Sequence, residues 1–155
     1  MRTVSPTMMM SDMQPDPERH ASFYEGVLPK RLLAWGLDLV LIAVVTAMIV
    51  PFTAFTALFF LPMLFLVVGF AYRWATLTGR SATWGMRLMN IEFLDRNGQR
   101  FDGATALLHT LGYTLSMAFV MPQILSVVLM LMSSRGQGLS DLVLGSVAIN
   151  SPAAR

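Results

Sequence analysis

The chain has 155 residues, of which 55% are hydrophobic and 13% charged, with 11 Lys and Arg against 9 Asp and Glu. The charged fraction is about half that of a typical soluble domain, and the mean hydropathy is +0.60. The chain has no cysteine, which excludes disulfides, thiolate catalysis and cysteine-based metal sites. The slight basic excess is too small for a nucleic-acid binder. The composition indicates one membrane domain.

The N-terminal residues 1–22 are rich in Pro, Ser, Asp and Met and show no periodicity. This composition predicts a disordered tail. A membrane domain over residues 28–150 follows, and 151–155 form a short C-terminal tail. No apolar signal-peptide core precedes residue 30, so the first hydrophobic block is expected to target the chain and to remain in it.

The first apolar block runs over 32–72, about twice the roughly 20 residues that one span needs. Pro51 lies near its middle and disfavours helix in the residue before it. The block is therefore predicted to form a helical hairpin, with helices near 32–50 and 53–72 and a turn at Pro51. Pro62 is predicted to kink the second helix.

The polar connector over 73–103 carries five arginines. Apolar and polar residues alternate from Met89 to Phe93, which is the period of a strand. Asn97-Gly98 follows, a strong signal for a tight turn, and Gln99–Phe101 would form the return strand. The pattern predicts a small β-hairpin within the connector 83–103, at the membrane surface.

The third apolar block, 104–132, is divided by Pro122. Either one long bent helix crosses the bilayer, or an interfacial half leads into a re-entrant half. Basic residues precede the first helix and follow the second, which marks their common side as cytoplasmic and places the N-terminus there.

Asp38 is an acid inside the first apolar helix, where a carboxylate costs roughly 2.5–3.5 kcal/mol. Arg31 lies two turns earlier on nearly the same face. Helical side chains lean toward the N-terminus, so Asp38 leans toward Arg31 while Arg31 leans away from it, which strains a direct pair. The expected partner of Asp38 is a group from the connector or the C-terminal segment. Asp38 is then either a structural acceptor that fixes the first helix to a neighbour, or a proton or cation site.

Asp141 permits two interpretations. It could cap a helix over Leu142–Ile149, since Asp is a favoured N-cap, or it could be the anion that an arginine such as Arg31 or Arg87 meets. His109 is expected to be an interfacial or hydrogen-bonded histidine, because one histidine makes no metal site.

Three segments in order resemble the RDD family of membrane proteins, named for one arginine and two aspartates. The first runs from Arg31 to Asp38, the second from Thr83-Trp-Gly85-Met-Arg87 to Asp95-Arg-Asn-Gly98, and the third is Leu139-Ser-Asp141-Leu-Val-Leu-Gly145. The resemblance implies three sets of motif residues. They are the polar cluster Arg31, Asp38 and Asp141, the connector residues Thr83, Gly85, Arg87, Asp95 and Gly98, and the C-terminal residues Leu139 and Gly145.

The chain departs from the family pattern at three positions. Trp84, Met86 and Ser140 stand where the family usually has Pro, Lys and His, so a mechanism through that Lys or His is not expected here. If Arg31 and Asp141 share one cluster, the C-terminal segment returns to the cytoplasmic side, which favours the re-entrant form of 104–132.

The predicted fold class is an all-α membrane protein: a transmembrane helical hairpin plus a third, Pro-broken hydrophobic segment, with a small cytoplasmic β-hairpin. The resemblance implies a multi-pass protein of the bacterial inner membrane without a defined activity. A structural or accessory role is expected, and the alternative is a small transporter of cations, protons or solutes that uses Asp38.

The sequence contains no G-x-S-x-G, H-E-x-x-H or P-loop motif, so no enzyme activity is expected. No cofactor or metal is expected either. The expected partners are the lipid bilayer and a second copy of the chain or another membrane protein, and not nucleic acid.

Overall fold

The computed structural model describes residues 14–152, which are mostly helical. Two helices are long and apolar enough to cross a membrane, and a third span is available if a bent pair is counted as one. Short 3-10 turns lie at Ala21–Phe23 and Thr56–Phe60. The elements are α1 (Val27–Phe52), α2 (Leu61–Arg80), α3 (Trp84–Leu88), β1 (Ile91–Leu94), α4 (Gly103–Ala118), α5 (Val120–Met132), α6 (Leu139–Leu144) and β2 (Val147–Asn150).

Helix α1 presents a narrow buried stripe and a wide apolar surface. From Ala34 to Val50 its buried residues recur every four positions, the spacing of one helical face. This buried stripe includes the polar Asp38 and Thr46. Large apolar residues such as Leu32, which is 67% exposed, cover the other faces. An exposed apolar surface of this extent is typical of a helix in contact with lipid.

Helix α2 differs from its prediction at both ends. It begins at Leu61, so Pro62 lies in its first turn, where the missing N–H has no helical partner to lose. The predicted kink at Pro62 is therefore wrong. The helix also continues past the predicted end at residue 72 to Arg80, which places Arg73 inside the helix instead of in the connector.

The small antiparallel sheet is present, but its second strand was predicted wrongly. Strand β1 pairs with β2, with Ile91 opposite Asn150, and not with a return strand at Gln99–Phe101. The turn after β1 does form, because the Asp95 carboxylate accepts from the backbone N–H groups of Asn97 and Gln99, each at 2.8 Å. The chain then diverges, so the predicted hairpin within 83–103 is wrong.

The helix predicted over Leu142–Ile149 is also wrong in extent. Helix α6 ends at Leu144, and Gly145 follows with a φ of +68°, a left-handed conformation that favours glycine at a helix end. The next residues form β2 on the connector strand. The C-terminal segment therefore completes the sheet that the connector begins.

The third apolar segment is broken at Phe119, where α4 and α5 meet at 116°. Pro122 lies in the first turn of α5, four residues after Ala118, the last residue of α4. It has no N–H for the Ala118 carbonyl, and its ring would clash with that carbonyl in a continuous helix. The bend returns the chain to the connector end, where β2 pairs with β1. The buried core lies at that end and includes Leu77, Met86, Ile91, Phe93, Phe101 and Ala106.

The predicted disordered tail over 1–22 is wrong for its last part. Gln14 is 7% exposed, and its side-chain amide donates to the carbonyls of Asp95 and Gly145 at 2.6 and 2.8 Å. Residues 1–13 and 153–155 lie outside the described residues. Ser151 donates its N–H to the Asn90 carbonyl at 2.8 Å. The predicted fold class is confirmed as a mainly helical membrane protein with two or three candidate membrane helices, and its small sheet joins two distant strands instead of forming the predicted hairpin.

Candidate functional site

Asp38 is the centre of a group of hydrogen bonds that we call the Asp38 cluster (Asp38, Tyr72, Thr83 and Gly85). Its side chain accepts from the Tyr72 hydroxyl at 2.5 Å, the Thr83 hydroxyl at 2.6 Å and the Gly85 N–H at 2.8 Å. Asp38 is 2% exposed. Three neutral donors from α2, the connector and α3 therefore satisfy a carboxylate that α1 carries.

The same hydroxyl groups also accept from the first amides of α3. The Trp84 N–H donates to the Tyr72 hydroxyl at 3.0 Å, and the Met86 N–H donates to the Thr83 hydroxyl at 3.2 Å. With Gly85 bonded to Asp38, the first three N–H groups of α3, which have no helical partner, are all satisfied. Asp38 thus places a negative charge at a helix N-terminus, where the helix dipole favours it.

Gly85 allows α3 to approach α1 this closely. A Cβ at position 85 would lie 2.2 Å from the Ala34 carbonyl oxygen and 2.8 Å from Asp38 Oδ1. Ala34 itself is only 1% exposed. The contact therefore requires a glycine on the connector beside a small residue on α1, one turn before the aspartate.

Asp141 is the centre of a second group, the Asp141 cluster (Asp141, Arg31, His109 and Gly138). Arg31 Nη1 lies 2.7 Å from Asp141 Oδ2, and His109 Nε2 lies 2.8 Å from Oδ1. The Gly138 N–H donates to Oδ2 at 3.0 Å. Asp141 is 1% exposed. This cluster joins the start of α1 to α4 and to the first turn of α6.

The charge of Asp141 is stabilised by its partners. Burial alone would raise the pKa of Asp141, but the Arg31 guanidinium and the His109 hydrogen bond outweigh it and hold that pKa below its ordinary value. The His109 ring lies against Phe93 and Phe101, with centroids 4.6 and 5.4 Å away. Its Nδ1 has no hydrogen-bond partner among residues 14–152.

The structure separates the three residues of the predicted polar cluster into two groups. Arg31 pairs with Asp141, whereas Asp38 is bonded to the connector. Arg87, the other arginine considered for Asp141, donates instead to the carbonyls of Ala82 and Thr76. Of the two interpretations of Asp141, the pairing with an arginine is confirmed. The interpretation as an N-cap is wrong, because the N-cap of α6 is Gly138 and Asp141 lies three residues later, in the first turn.

The remaining motif residues shape the backbone around these groups. Asp95 and Gly98 form the turn after β1, where Gly98 has a φ of +69°. Leu139 begins α6, and its N–H donates to the Ser126 hydroxyl at 3.0 Å. Gly145 ends α6.

Sequence reasoning missed two residues of these clusters. Tyr72 was taken as the end of an apolar block, and His109 was not connected to Asp141. Tyr72 could have been suspected as a hydroxyl near the polar end of the hairpin, facing the helix that carries Asp38. His109 offered no local signal, because its partner is distant in sequence.

Both aspartates line one cavity of about 540 Å³. Arg73, Trp35 and Tyr113 also line it. Residues 14–152 hold no group of three His, Asp or Glu side chains that could bind a metal ion. The chemistry that the cavity offers is therefore hydrogen bonding and charge in mainly apolar surroundings.

The model of the RDD family matches residues 26–145, which covers more than half of the chain. This chain belongs to the RDD family. The matched range contains Arg31, Asp38 and Asp141 together with the connector motif, whereas strand β2 lies beyond its end. Neither the curated proteins nor the solved structures gave a match to this RDD protein.

Proposed function

We propose that this RDD protein is a structural or accessory protein of the membrane, in which Arg31, Asp38 and Asp141 hold the helices and the connector in one arrangement. The observation that carries the proposal is that Asp38 accepts from three donors at 2.8 Å or less. A carboxylate held in this way stabilises its neighbours, and binding a proton or cation would weaken those bonds.

The Asp141 cluster supports the same role. Removing one member of a buried ion pair typically costs more than the pair contributes, because the other charge stays buried and unpaired. Arg31 also donates to the Gly136 carbonyl at 2.9 Å, so one side chain holds both the loop before α6 and its first turn. The proposal assigns no catalytic chemistry to either cluster.

We place the protein in the bacterial inner membrane as a multi-pass protein with its N-terminus in the cytoplasm. Lys30 and Arg31 lie at the start of α1, and the arginine-rich connector lies at the same end, which is the bias of a cytoplasmic face. Single cysteines in this cysteine-free chain test the placement. Ser151→Cys should react only with a reagent that enters the cytoplasm, and labelling from outside alone would contradict it.

The proposed partners are the bilayer and a second copy of the chain or another membrane protein. Exposed apolar side chains on α1 and α2, such as Val40 and Met63 at 63% and 67%, would contact lipid chains or such a partner. Crosslinking in intact membranes, followed by mass determination of the products, distinguishes a second copy from another protein.

The variant Asp38→Asn separates this role from transport. Asn keeps the size but replaces one acceptor oxygen by a donor, which leaves buried donors unsatisfied at a cost of about 1–3 kcal/mol. We expect Asp38→Asn to lower the yield and the thermal stability. Glu18→Gln removes a charge from an exposed position and should leave both unchanged.

The second measurement is ion flux in everted vesicles. Vesicles with the wild-type protein should show no proton-coupled cation flux above empty vesicles. A wild-type flux that Asp38→Asn abolishes while the variant stays folded would refute the structural role and favour the transporter.

A further inference from the structure

Arg73 is a buried cation with no anionic partner among the described residues. It lies in α2 and is 8% exposed, and no acidic side chain among residues 14–152 forms an ion pair with it. Its guanidinium lies over the Tyr113 ring, 3.8 Å from the centroid. A charged group inside a membrane helix is costly and typically pairs with an opposite charge or marks a ligand path.

The acids near Arg73 are already occupied. Asp38 lines the same cavity, but Tyr72, Thr83 and Gly85 satisfy it. Asp141 pairs with Arg31. None of the described residues accepts a hydrogen bond from the Arg73 guanidinium. Arg73 lines the cavity, so its donors remain for an anion bound there.

A second donor faces the same space. The Trp35 indole N–H donates to the Tyr113 hydroxyl oxygen at 2.9 Å, so the hydroxyl hydrogen of Tyr113 remains to be donated. None of the described residues accepts it. Guanidinium and hydroxyl donors converging on one cavity favour an oxyanion, because phosphate and carboxylate oxygens accept from both.

The walls of the cavity favour a ligand with an apolar part. Its volume of about 540 Å³ lies within the usual range of small-molecule sites. Leu32 of α1 and Val127 and Leu131 of α5 line it and are 67%, 45% and 67% exposed. The cavity therefore opens between α1 and α5 onto the apolar surface that would contact lipid.

The depth of Arg73 suits a molecule that enters from the bilayer. It lies seven residues before Arg80, the last residue of α2, which is roughly 10 Å below the connector end at 1.5 Å per residue. A headgroup at that depth is close to the interface, and its chain can extend through the opening.

We infer that this cavity binds an anionic amphiphile, with its phosphate or carboxylate at Arg73 and Tyr113 and its acyl chain passing between α1 and α5. This site goes beyond the proposed structural role and does not depend on it. The anionic group could belong to a bilayer phospholipid or to a free fatty acid.

The test is lipid binding to the purified full chain, measured by native mass spectrometry. The protein is titrated separately with phosphatidylglycerol, phosphatidylcholine and oleate. We expect phosphatidylglycerol or oleate to bind at least tenfold more tightly than phosphatidylcholine, and the tighter of the two identifies the source of the anion. Equal binding of all three would overturn the inference.

Two variants and one control locate the binding. Arg73→Gln should weaken anionic binding about tenfold and Arg73→Lys less, whereas Arg80→Gln removes a charge from an exposed position on the same helix and should have little effect. Val127→Trp fills the opening and leaves Arg73 intact. It should therefore weaken lipid binding, and it tests the site even if Arg73→Gln does not fold. Unchanged binding in Val127→Trp and in any folded Arg73→Gln would refute the site.

Discussion

The Asp38 cluster and the Asp141 cluster each satisfy a buried carboxylate, but with different hydrogen-bond donors. Both carboxylates are almost completely buried, at 2% and 1% exposure. Asp38 is satisfied by two hydroxyls and one backbone N–H, whereas Asp141 meets the guanidinium of Arg31 and the ring of His109. One buried acid is held by neutral donors and the other by an ion pair.

The difference follows from what each cluster connects. Asp38 binds the connector that directly follows the helical hairpin, and the short helix α3 supplies an N-terminus that favours a negative charge. Asp141 brings the C-terminal segment back to the first turns of α1, where Arg31 supplies the positive charge. Loss of the first cluster should loosen the connector, and loss of the second should release α6 and β2.

The largest expected effect is that of Arg31→Gln. It leaves Asp141 buried without its cation, which should lower the free energy of unfolding by about 3–5 kcal/mol. Titration with SDS in mixed micelles, followed by tryptophan fluorescence, measures the loss. Arg80→Gln is the exposed control. The double variant with Asp141→Asn should recover part of the loss, and a purely additive double variant would show that the pair is not coupled.

Gly85→Ala should disrupt the Asp38 cluster, because the added methyl group would clash with α1. The new Cβ would lie 2.2 Å from the Ala34 carbonyl oxygen, and the displacement should cost about 3 kcal/mol. Gly36→Ala on α1 is the matched control, because a Cβ there meets nothing within 4 Å and should slightly stabilise the helix. A Gly85→Ala protein as stable as wild type would show that α3 does not pack on α1 in this way.

Tyr72→Phe tests how much a neutral donor contributes to a buried carboxylate. The loss of a hydrogen bond to a charged group should cost about 1.5–3 kcal/mol. Tyr24→Phe loses only a neutral bond to the Pro15 carbonyl and should cost about 1 kcal/mol. Equal losses in the same unfolding titration would show that the bond from Tyr72 to Asp38 contributes no more than a neutral hydrogen bond.

The smallest effect is expected from pH. Because the folded-state pKa of Asp141 is lowered from 3.8, its contribution to stability is fully present above that value and decreases as the pH falls below it. Wild-type protein should therefore lose stability between about pH 4 and pH 3, and Asp141→Asn should lose less over that interval. Identical decreases in the two proteins would exclude Asp141 as the titrating group.

Part of the site could be predicted from the sequence because its signals are local. The argument that Asp38 needs a partner outside its own helix depended only on helical geometry and on the cost of a buried carboxylate, and the connector supplies that partner. The position of Arg73 was predicted wrongly because helix α2 was ended at residue 72. Arg73 and Leu77 are the buried residues of this helix and lie four positions apart. An apolar residue at that helical spacing could have been used to extend the predicted helix beyond residue 72.

The sequence by itself determined the apolar blocks, the existence of a turn between the first two spans and the RDD motifs. The turn itself lies later than predicted, because α1 continues through Pro51 to Phe52. Hydropathy decides the spans, because backbone groups in lipid must be bonded within a helix. Only the tertiary structure decided that β1 pairs with β2, that Asp141 forms an ion pair with Arg31 and that Arg73 lines a cavity. These contacts join segments distant in sequence, and they depend on how the 116° bend at Phe119 returns the chain to the connector.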